Sequence, residues 1–320
     1  MPQLQYHPSE RIIQLNAARR PIVVVGSVTM DMVTLTPQIP RIGQTVIGAS
    51  FTTTPGGKGA NQAVAAARLG YPVHMVGKVG DDSYGPALLA NLSSAGVGTD
   101  AMEPVAGPSG LAPIFLSESG QNAIVVVPGA NAHMDAATID RHAPLIRSAG
   151  LVLCQLELPI NTVSYVIALC AEAGVPVILD PAPAAQLPEA IWSQIAWFTP
   201  NETEAAFYLG EEVSAEDGAK HLLARGLKGV VLKRGSEGCY VAVADGKAAW
   251  VPAFQVEAID TVAAGDCFNG AFAVALLEGL APWAAARFAS AAAAISVTRR
   301  GAQASMPTRA EVEDFLNNHT

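Results

Sequence analysis

Ile22-Val23-Val24-Val25-Gly26 is a run of β-branched residues that ends in glycine, a pattern typical of a buried strand. Four similar apolar runs follow it, at residues 73–76, 151–155, 176–180 and 230–233. Helical patterns accompany these runs near residues 60–69, 84–95, 135–148, 161–173, 202–209 and 216–225. This alternation predicts an α/β fold, a three-layer α/β/α sandwich whose central sheet is mostly parallel.

Two segments, residues 32–54 and 109–128, depart from this alternation. Each holds two apolar stretches that no crossover helix follows directly, with predicted turns at residues 40–43 and 117–121. In the first segment the strand after the turn is predicted to include Val46 and Ile47. We expect the two strand pairs to form a small β-sheet that acts as a lid over one end of the parallel sheet.

The composition predicts a soluble globular protein with a large core, since 50% of the 320 residues are hydrophobic and 15% are charged. The formal net charge of −9 argues against broad electrostatic binding to nucleic acid or to an anionic membrane. Neither partner is therefore expected. A small-molecule ligand fits better, and any polyphosphate group in it would be held by local donors and a divalent cation.

The four cysteines show no paired spacing, so we interpret them as reduced thiols of a cytoplasmic protein. No apolar run reaches the ~20 residues of a membrane span. Residues 1–20 lack the apolar core of a signal peptide and are interpreted as a flexible N-terminal arm. Residues 21–320 are interpreted as one domain that includes the two lid segments.

The stretch Asp260-Thr261-Val262-Ala263-Ala264-Gly265-Asp266-Cys267-Phe268-Asn269-Gly270 combines a small-residue turn with a carboxylate at the start of a helical pattern. Free N–H groups in the first turn of a helix suit phosphate oxygens. Asp266 would repel phosphate, so it is better interpreted as a base that takes a proton from an attacking hydroxyl. The alternative is an aspartate that caps its own helix.

Gly56-Gly57-Lys58-Gly59-Ala60-Asn61 precedes a second helical pattern. It is not a Walker A loop, because no glycine lies five residues before the Gly-Lys pair and no Ser or Thr follows the lysine. The glycines would let a substrate approach the main chain, and Asn61 offers a donor and an acceptor to a polyol. A capping turn with a solvated Lys58 remains the alternative.

Further polar residues follow predicted strands, at the sheet edge where α/β proteins bind ligands. Asn201 and Glu204, in Pro200-Asn201-Glu202-Thr203-Glu204, could hold the water shell of Mg²⁺, although an acidic first helical turn explains Glu202. Glu157 and Asp180 have similar positions.

Two more segments have structural explanations of their own. Residues 233–238 could shape a nucleotide loop, or could simply be a β-turn between two strands. Residues 298–303 contain a basic pair followed by glycine, which helix C-capping explains.

Together these motifs resemble the ribokinase branch of the PfkB carbohydrate kinase family, from about residue 22 to the end of the chain. Residues 56–64, Gly-Gly-Lys-Gly-Ala-Asn-Gln-Ala-Val, are similar to the first signature of the family, and residues 260–270 to its second. Pro-Ala-Pro-Ala at 181–184, Pro-Asn-Glu-Thr-Glu at 200–204 and the ending around 299–307 resemble further ribokinase segments.

The resemblance implies a role for each matching position. The base and anion hole would be Asp266, Gly265, Ala264 and Ala263. The sugar would be bound by Asp31, Gly57, Lys58, Asn61, Glu157 and Asp266. The nucleotide would be bound by Asn201, Lys233, Arg234, Gly235, Ser236, Glu237, Gly238, Gly265 and Ser290. Potassium would be held by Asp260 and Ser305 with backbone carbonyls of Val262, Ser296, Arg299 and Gly301. Glu204 would bind Mg²⁺ through water.

The implied activity is an ATP-dependent kinase that phosphorylates the O5 hydroxyl of D-ribose to ribose 5-phosphate, with Mg²⁺ and an activating K⁺. Deoxyribokinase or another sugar or nucleoside kinase of the family is the alternative, because Thr29 lies where bacterial ribokinases often have asparagine and residues 109–114 resemble deoxyribokinases as well. A non-catalytic sugar-sensing protein is the alternative of another class. The lid is expected to form a homodimer contact.

Overall fold

The computed structural model describes residues 19–319, so the predicted N-terminal arm lies almost wholly outside the described residues. The strands are β1 (Ile22–Val25), β2 (Thr29–Thr36), β3 (Ser50–Gly56), β4 (Val73–Gly80), β5 (Val97–Val105), β6 (Gly110–Ser117), β7 (Asn122–Ile124), β8 (Leu151–Cys154), β9 (Val177–Leu179), β10 (Trp197–Phe198), β11 (Gly229–Lys233), β12 (Gly238–Val243) and β13 (Ala248–Pro252). The helices are α1 (Lys58–Arg68), α2 (Tyr84–Ser94), α3 (Ala136–Ser148), α4 (Ile160–Ala173), α5 (Glu202–Leu209), α6 (Ala215–Leu223), α7 (Ala264–Leu277), α8 (Pro282–Val297) and α9 (Arg309–Asn318).

The large sheet has the strand order β13-β12-β11-β10-β9-β8-β1-β4-β5. Its strands from β11 to β5 pair in parallel, and β12 and β13 add an antiparallel edge. The mostly parallel sheet that the sequence predicted is therefore confirmed.

Both faces of this sheet are covered by helices, because successive side chains of a strand point to opposite faces. In β1, Ile22 and Val24 pack in a core with α1, α2, α7, α8 and α9, whereas Val23 and Val25 pack in a second core with α3, α4, α5 and α6. All four residues are almost fully buried. The predicted three-layer architecture is confirmed.

The small sheet has the order β3-β2-β6-β7, with β2 and β6 parallel and the outer pairs antiparallel. The turn predicted at residues 117–121 is present, where the Ser117 amide donates to the Gln121 carbonyl. The prediction of strand at Val46 and Ile47 is wrong, because β3 begins only at Ser50. A long connection, residues 37–49, joins β2 to β3, and Ile47 is exposed in it.

Several elements lay outside the sequence prediction. β5 begins with Val97-Gly98-Thr99-Asp100, which lacks a strong apolar pattern, yet it pairs with β4 along most of its length. β13 and α9 were also not predicted. No helix among residues 19–319 is long and apolar enough to cross a bilayer.

Candidate active site

Polar residues lie in order along one edge of the large sheet, just after its parallel strands. Ser27 follows β1, Glu157 follows β8, Asp180 follows β9, and Asn201 follows β10. Lys233 ends β11. Because the carboxyl ends of parallel strands share an edge, these side chains form a continuous row.

The first turn of α7 lies beside this row. Ala263, the residue before the helix, has a φ of 59°, in the left-handed region that non-glycine residues rarely adopt. Such conformations cost about 1–3 kcal/mol and cluster at functional sites. The Ala264 amide donates to the Thr261 carbonyl at 3.3 Å, and the next amides of the first turn lie at the positive end of the helix dipole.

Asp266 does not cap its own helix, so that alternative is wrong. The helix begins at Ala264, and no side chain caps it. The Asp266 carboxylate is 5% exposed and accepts hydrogen bonds from Asn61 Nδ2 at 2.9 Å and Gln62 Nε2 at 3.1 Å. Burial raises its pKa, opposed by the charge of Lys58, and the charge of Asp180 raises it further. A raised pKa suits a general base.

A chain of buried amides fixes the two donors to Asp266, and sequence reasoning had not assigned most of it. Gln62 Oε1 accepts from Gln155 Nε2 at 2.7 Å, and Asn61 Oδ1 accepts from Gln303 Nε2 at 3.1 Å. Because each amide oxygen is already occupied, the amide nitrogens must point toward the carboxylate. The available signal was Gln62 itself, a polar residue in the buried, alanine-rich part of α1.

Gly57, whose φ is 90°, directs the chain into α1. A Cβ at Gly57 would lie 2.8 Å from the Thr29 amide nitrogen, so only glycine fits there. Glu157 Oε2 accepts from the Lys58 amide at 2.9 Å and from the Ser27 hydroxyl, which ties β8 to the helix start. Glu157 thus serves as the N-terminal cap that Gly57 cannot provide.

Lys58 is not the solvated lysine of the alternative interpretation. Its side chain lies among carboxylates, and burial lowers its pKa while the charges of Asp266 and Asp180 raise it. The net direction is upward, so the ammonium stays protonated. It supplies positive charge close to the proposed base.

Asp31 lies in β2, with its carboxylate over Gly56 of the neighbouring strand, where any Cβ would clash with it. The Thr29 hydroxyl donates to Asp31 Oδ1 at 2.9 Å. Burial raises the pKa of Asp31 to about 6, opposed by that hydrogen bond and aided by the charges of Glu157 and Asp266. The small sheet therefore brings an acceptor toward the row of strand-end residues.

A cavity of about 380 Å³ lies on the other side of the α7 turn. Seven of the residues predicted to bind a nucleotide line it: Asn201, Lys233, Gly235, Ser236, Gly238, Gly265 and Ser290. Arg234 and Glu237 are not among its lining residues. Arg234 instead forms ion pairs with Glu202 at 3.1 Å and Glu237 at 3.4 Å. The 233–238 segment is both the predicted connection between β11 and β12 and a wall of the cavity.

The apolar wall of this cavity was missed by sequence reasoning. It comes from the segment after β13, including Ala253, Phe254 and Val256, and from α8, including Ala293 and Val297. Nothing in the local pattern of either segment indicates a ligand. A planar base would find apolar surface here, with polar groups at the cavity end near Gly265.

Asn201 and Glu204 form a capping box at the start of α5. Asn201 Oδ1 accepts from the Glu204 amide, and Glu204 Oε2 accepts from the Asn201 amide, each at 2.8 Å. Each Glu204 oxygen keeps a lone pair, so hydrogen bonding to water on Mg²⁺ is compatible with the cap. In the described part of the chain, no group of three or more His, Cys, Asp or Glu side chains could hold a metal ion.

Two of the residues predicted to hold potassium, Val262 and Gly301, contact Asp260. Its carboxylate accepts from the Val262 amide at 3.0 Å and the Gly301 amide at 2.9 Å, and its own amide donates to the Val297 carbonyl. Ser296 and Ser305 are buried at the ends of the adjoining segments. Backbone carbonyl oxygens, which were predicted as ligands here, suit K⁺, and the Asp260 segment precedes the α7 turn directly.

The known proteins that this chain is similar to are carbohydrate kinases. The model of the pfkB family carbohydrate kinases matches residues 19–309. The ribokinase of Bacillus subtilis is 48% identical over 303 residues, 93% of this chain and 100% of that protein. A deoxyribokinase of Salmonella typhimurium is 37% identical, over 92% of this chain and 98% of that protein. The solved structure of Arabidopsis thaliana ribokinase complexed with ribose and ATP is 35% identical, with a TM-score of 0.88 over 93% of this chain and 98% of that chain.

Proposed function

This chain belongs to the pfkB family of carbohydrate kinases, and from that membership we propose that it transfers the γ-phosphoryl group of ATP to the O5 hydroxyl of D-ribose. The products are ribose 5-phosphate and ADP. One observation carries the proposal for this chain. Asp266, a buried carboxylate with a raised pKa, lies on the helix turn that separates the nucleotide cavity from the strand-end residues on the sugar side.

On the sugar side, Asp31 accepts hydrogen bonds from ribose hydroxyls, and Asn61 and Lys58 hold the sugar against the glycine turn. Gly57 leaves room for the ring, since it has no side chain. Glu157 supports this wall through its hydrogen bond to the Lys58 amide. The arrangement presents the terminal hydroxyl to Asp266.

In the transfer, Asp266 takes the proton of the O5 hydroxyl as the oxygen attacks the γ-phosphorus. The bond to the β–γ bridging oxygen breaks, and its electron pair stays on ADP. Amides of residues 263–266 stabilise the charge on the transferring group, which is the main task of a protein in phosphoryl transfer. Mg²⁺ would neutralise phosphate charge, with Glu204 accepting hydrogen bonds from its water shell.

The Asp31 carboxylate gives the reaction a specific pH dependence. With a pKa of about 6, Asp31 is protonated below that pH and can no longer accept two sugar hydroxyls. The KM for ribose should therefore rise several-fold as the pH falls from about 7 to about 5. Initial rates at saturating ATP would measure this, and Asp31→Asn should abolish the trend. A KM that is flat across this range in the unmodified protein contradicts the role of Asp31.

Potassium is the proposed activator, because Asp260, which accepts from the Gly301 amide, lies just before the anion-binding turn of residues 263–266. Exchange of K⁺ for tetramethylammonium should lower kcat, and KCl should restore it, since an ordered turn holds its amides in place. Equal kcat in both salts would exclude this activation.

A substrate panel tests the activity itself. Ribose, 2-deoxyribose, fructose and adenosine would be compared by coupled detection of ADP, and we expect the highest kcat/KM for ribose. A preference for 2-deoxyribose would instead favour the deoxyribokinase alternative, to which the Salmonella relative points. Absence of sugar-dependent ADP formation would favour a non-catalytic sugar-sensing protein.

The lid also supports a proposed homodimer. Phe51, Thr34 and Phe115 lie side by side across β3, β2 and β6, and the two phenylalanines are 58% and 37% exposed. A second copy of the chain would cover the two exposed phenylalanines. Light scattering that finds only monomer at micromolar concentration would reject the dimer.

The four cysteines are buried free thiols, which supports the proposed cytoplasmic location.

A further inference from the structure

Lys233 and Asp180 form a buried ion pair between the two sides of the site. Lys233 ends β11 and Asp180 follows β9, so the pair spans the end of β10. Lys233 Nζ lies 3.2 Å from Asp180 Oδ1, and the two side chains are only 15% and 3% exposed. Neither residue is needed to close a helix or a turn.

The position of the Lys233 ammonium is unusual because it touches the anion-binding turn. A Cβ on Gly265 would lie 3.4 Å from Nζ, so the ammonium lies over the first turn of α7. Lys233 also lines the cavity. Its charge is therefore at the end of the cavity nearest Asp266.

Asp180 connects this ammonium to the base. Its second oxygen, Oδ2, accepts from Gln62 Nε2 at 2.9 Å, and the same nitrogen donates to Asp266 Oδ1 at 3.1 Å. One carboxylate thus contacts both the cation over the anion hole and the amide that orients Asp266.

We propose that Lys233 binds the transferring phosphoryl group as a catalytic cation and that Asp180 is the residue that positions it. The inference rests on the proposed kinase activity. As the O5–phosphorus bond forms and the bond to the β–γ bridging oxygen breaks, the Lys233 ammonium neutralises charge on the equatorial oxygens. The proton of the sugar hydroxyl still goes to Asp266, and the electron pair of the broken bond leaves with ADP.

Physical reasons favour a catalytic role for the Lys233–Asp180 pair over a role in stabilising the fold. A buried ion pair gains little net stability, because desolvation of both charges offsets their attraction. A lysine on its four-carbon stem is otherwise free to point into the cavity or toward solvent. Held in place by Asp180, the ammonium needs no reorganisation when charge develops nearby, which is the condition for strong transition-state stabilisation.

The test compares Lys233→Met, Asp180→Asn and the double variant, with Lys228→Met as the matched control. Lys228 is an exposed lysine just before the opposite end of the same strand. We expect Lys233→Met to lower kcat about 10²-fold and Asp180→Asn about tenfold, with the KM for ribose changed less than about twofold. The double variant should be no slower than Lys233→Met, because Asp180 has no lysine left to position. Lys228→Met should match the unmodified protein.

A chemical rescue separates a catalytic ammonium from a structural one. In Lys233→Ala, added propylammonium should raise kcat, since a free cation can occupy the vacated place. Thermal unfolding of each variant shows whether it is folded. If Asp180→Asn does not fold, the Lys233 variants alone test whether the ammonium is catalytic.

Three results would overturn the inference. Lys233→Met could change only the KM for ATP, propylammonium could leave Lys233→Ala unchanged, or Asp180→Asn could reduce kcat by the same factor with and without Lys233. Failure of the kinase proposal is distinguishable, because the unmodified protein would then form no ADP in response to sugar.

Discussion

Replacement of Asp266 by asparagine should lower kcat by at least about 10²-fold, because the variant has no group that can accept the proton of the sugar hydroxyl. Asparagine has the same shape, so the KM for ribose and the affinity for ADP should change little. Steady-state kinetics and calorimetric titration of ADP measure the two effects separately. Turnover within a few-fold of the unmodified protein would contradict the assignment of the base.

The amide chain gives this variant a second consequence. Asn61 and Gln62 both donate to the Asp266 carboxylate, and an asparagine would offer an oxygen to only one of them. Neither side-chain amide can flip to exchange its nitrogen for its oxygen, since the oxygens of Asn61 and Gln62 already accept from Gln303 and Gln155. We expect the free energy of unfolding to fall by about 1–3 kcal/mol. The midpoint of unfolding should therefore be measured for this variant together with its kinetics.

Asp31→Asn should raise the KM for ribose about 10²-fold and leave kcat within a few-fold. The variant loses two charged acceptors for sugar hydroxyls, and hydrogen bonds to a charged group contribute about 1.5–3 kcal/mol each. The Thr29 hydroxyl can still donate to the asparagine oxygen, so β2 should keep its position. Rates at saturating ATP over a wide range of ribose concentration would measure the change.

Asp100→Asn is the matched control for this variant, because Asp100 is an exposed carboxylate in β5 of the large sheet. It should leave both constants unchanged. An unchanged KM for ribose in Asp31→Asn would mean that the sugar does not lie against β2.

Much of the fold could be predicted because it depends on local patterns. The apolar runs of β1, β8 and β11 are followed by polar or glycine residues, and the apolar residues of the helices recur with helical spacing. The start of β5 was missed, since Gly98-Thr99-Asp100 has no apolar alternation and is held by its pairing with β4. The start of β3 was placed too early, because Val46 and Ile47 are apolar yet lie in a connection.

The site was predictable only where one segment carried its own chemistry. The glycine turn before α1 and the small-residue turn before α7 each suggested ligand binding, with a capping turn as the alternative that only the other motifs disfavoured. The contact of Gln62 with Asp266 joins residues 204 positions apart, and that of Gln303 with Asn61 joins residues 242 apart. Such contacts depend on how helices pack across the sheet, and no periodicity in a single segment reports them.

The amide chain behind Asp266 also determines where the reaction's proton can go. Asparagine and glutamine amides can donate hydrogen bonds but do not take up a further proton near neutral pH. Lys58, the nearby cation, is already protonated. The amides behind the base thus offer the proton no acceptor, and we expect it to leave on the sugar side, where the phosphorylated sugar also departs. Regeneration of the base and departure of the product therefore share one exit.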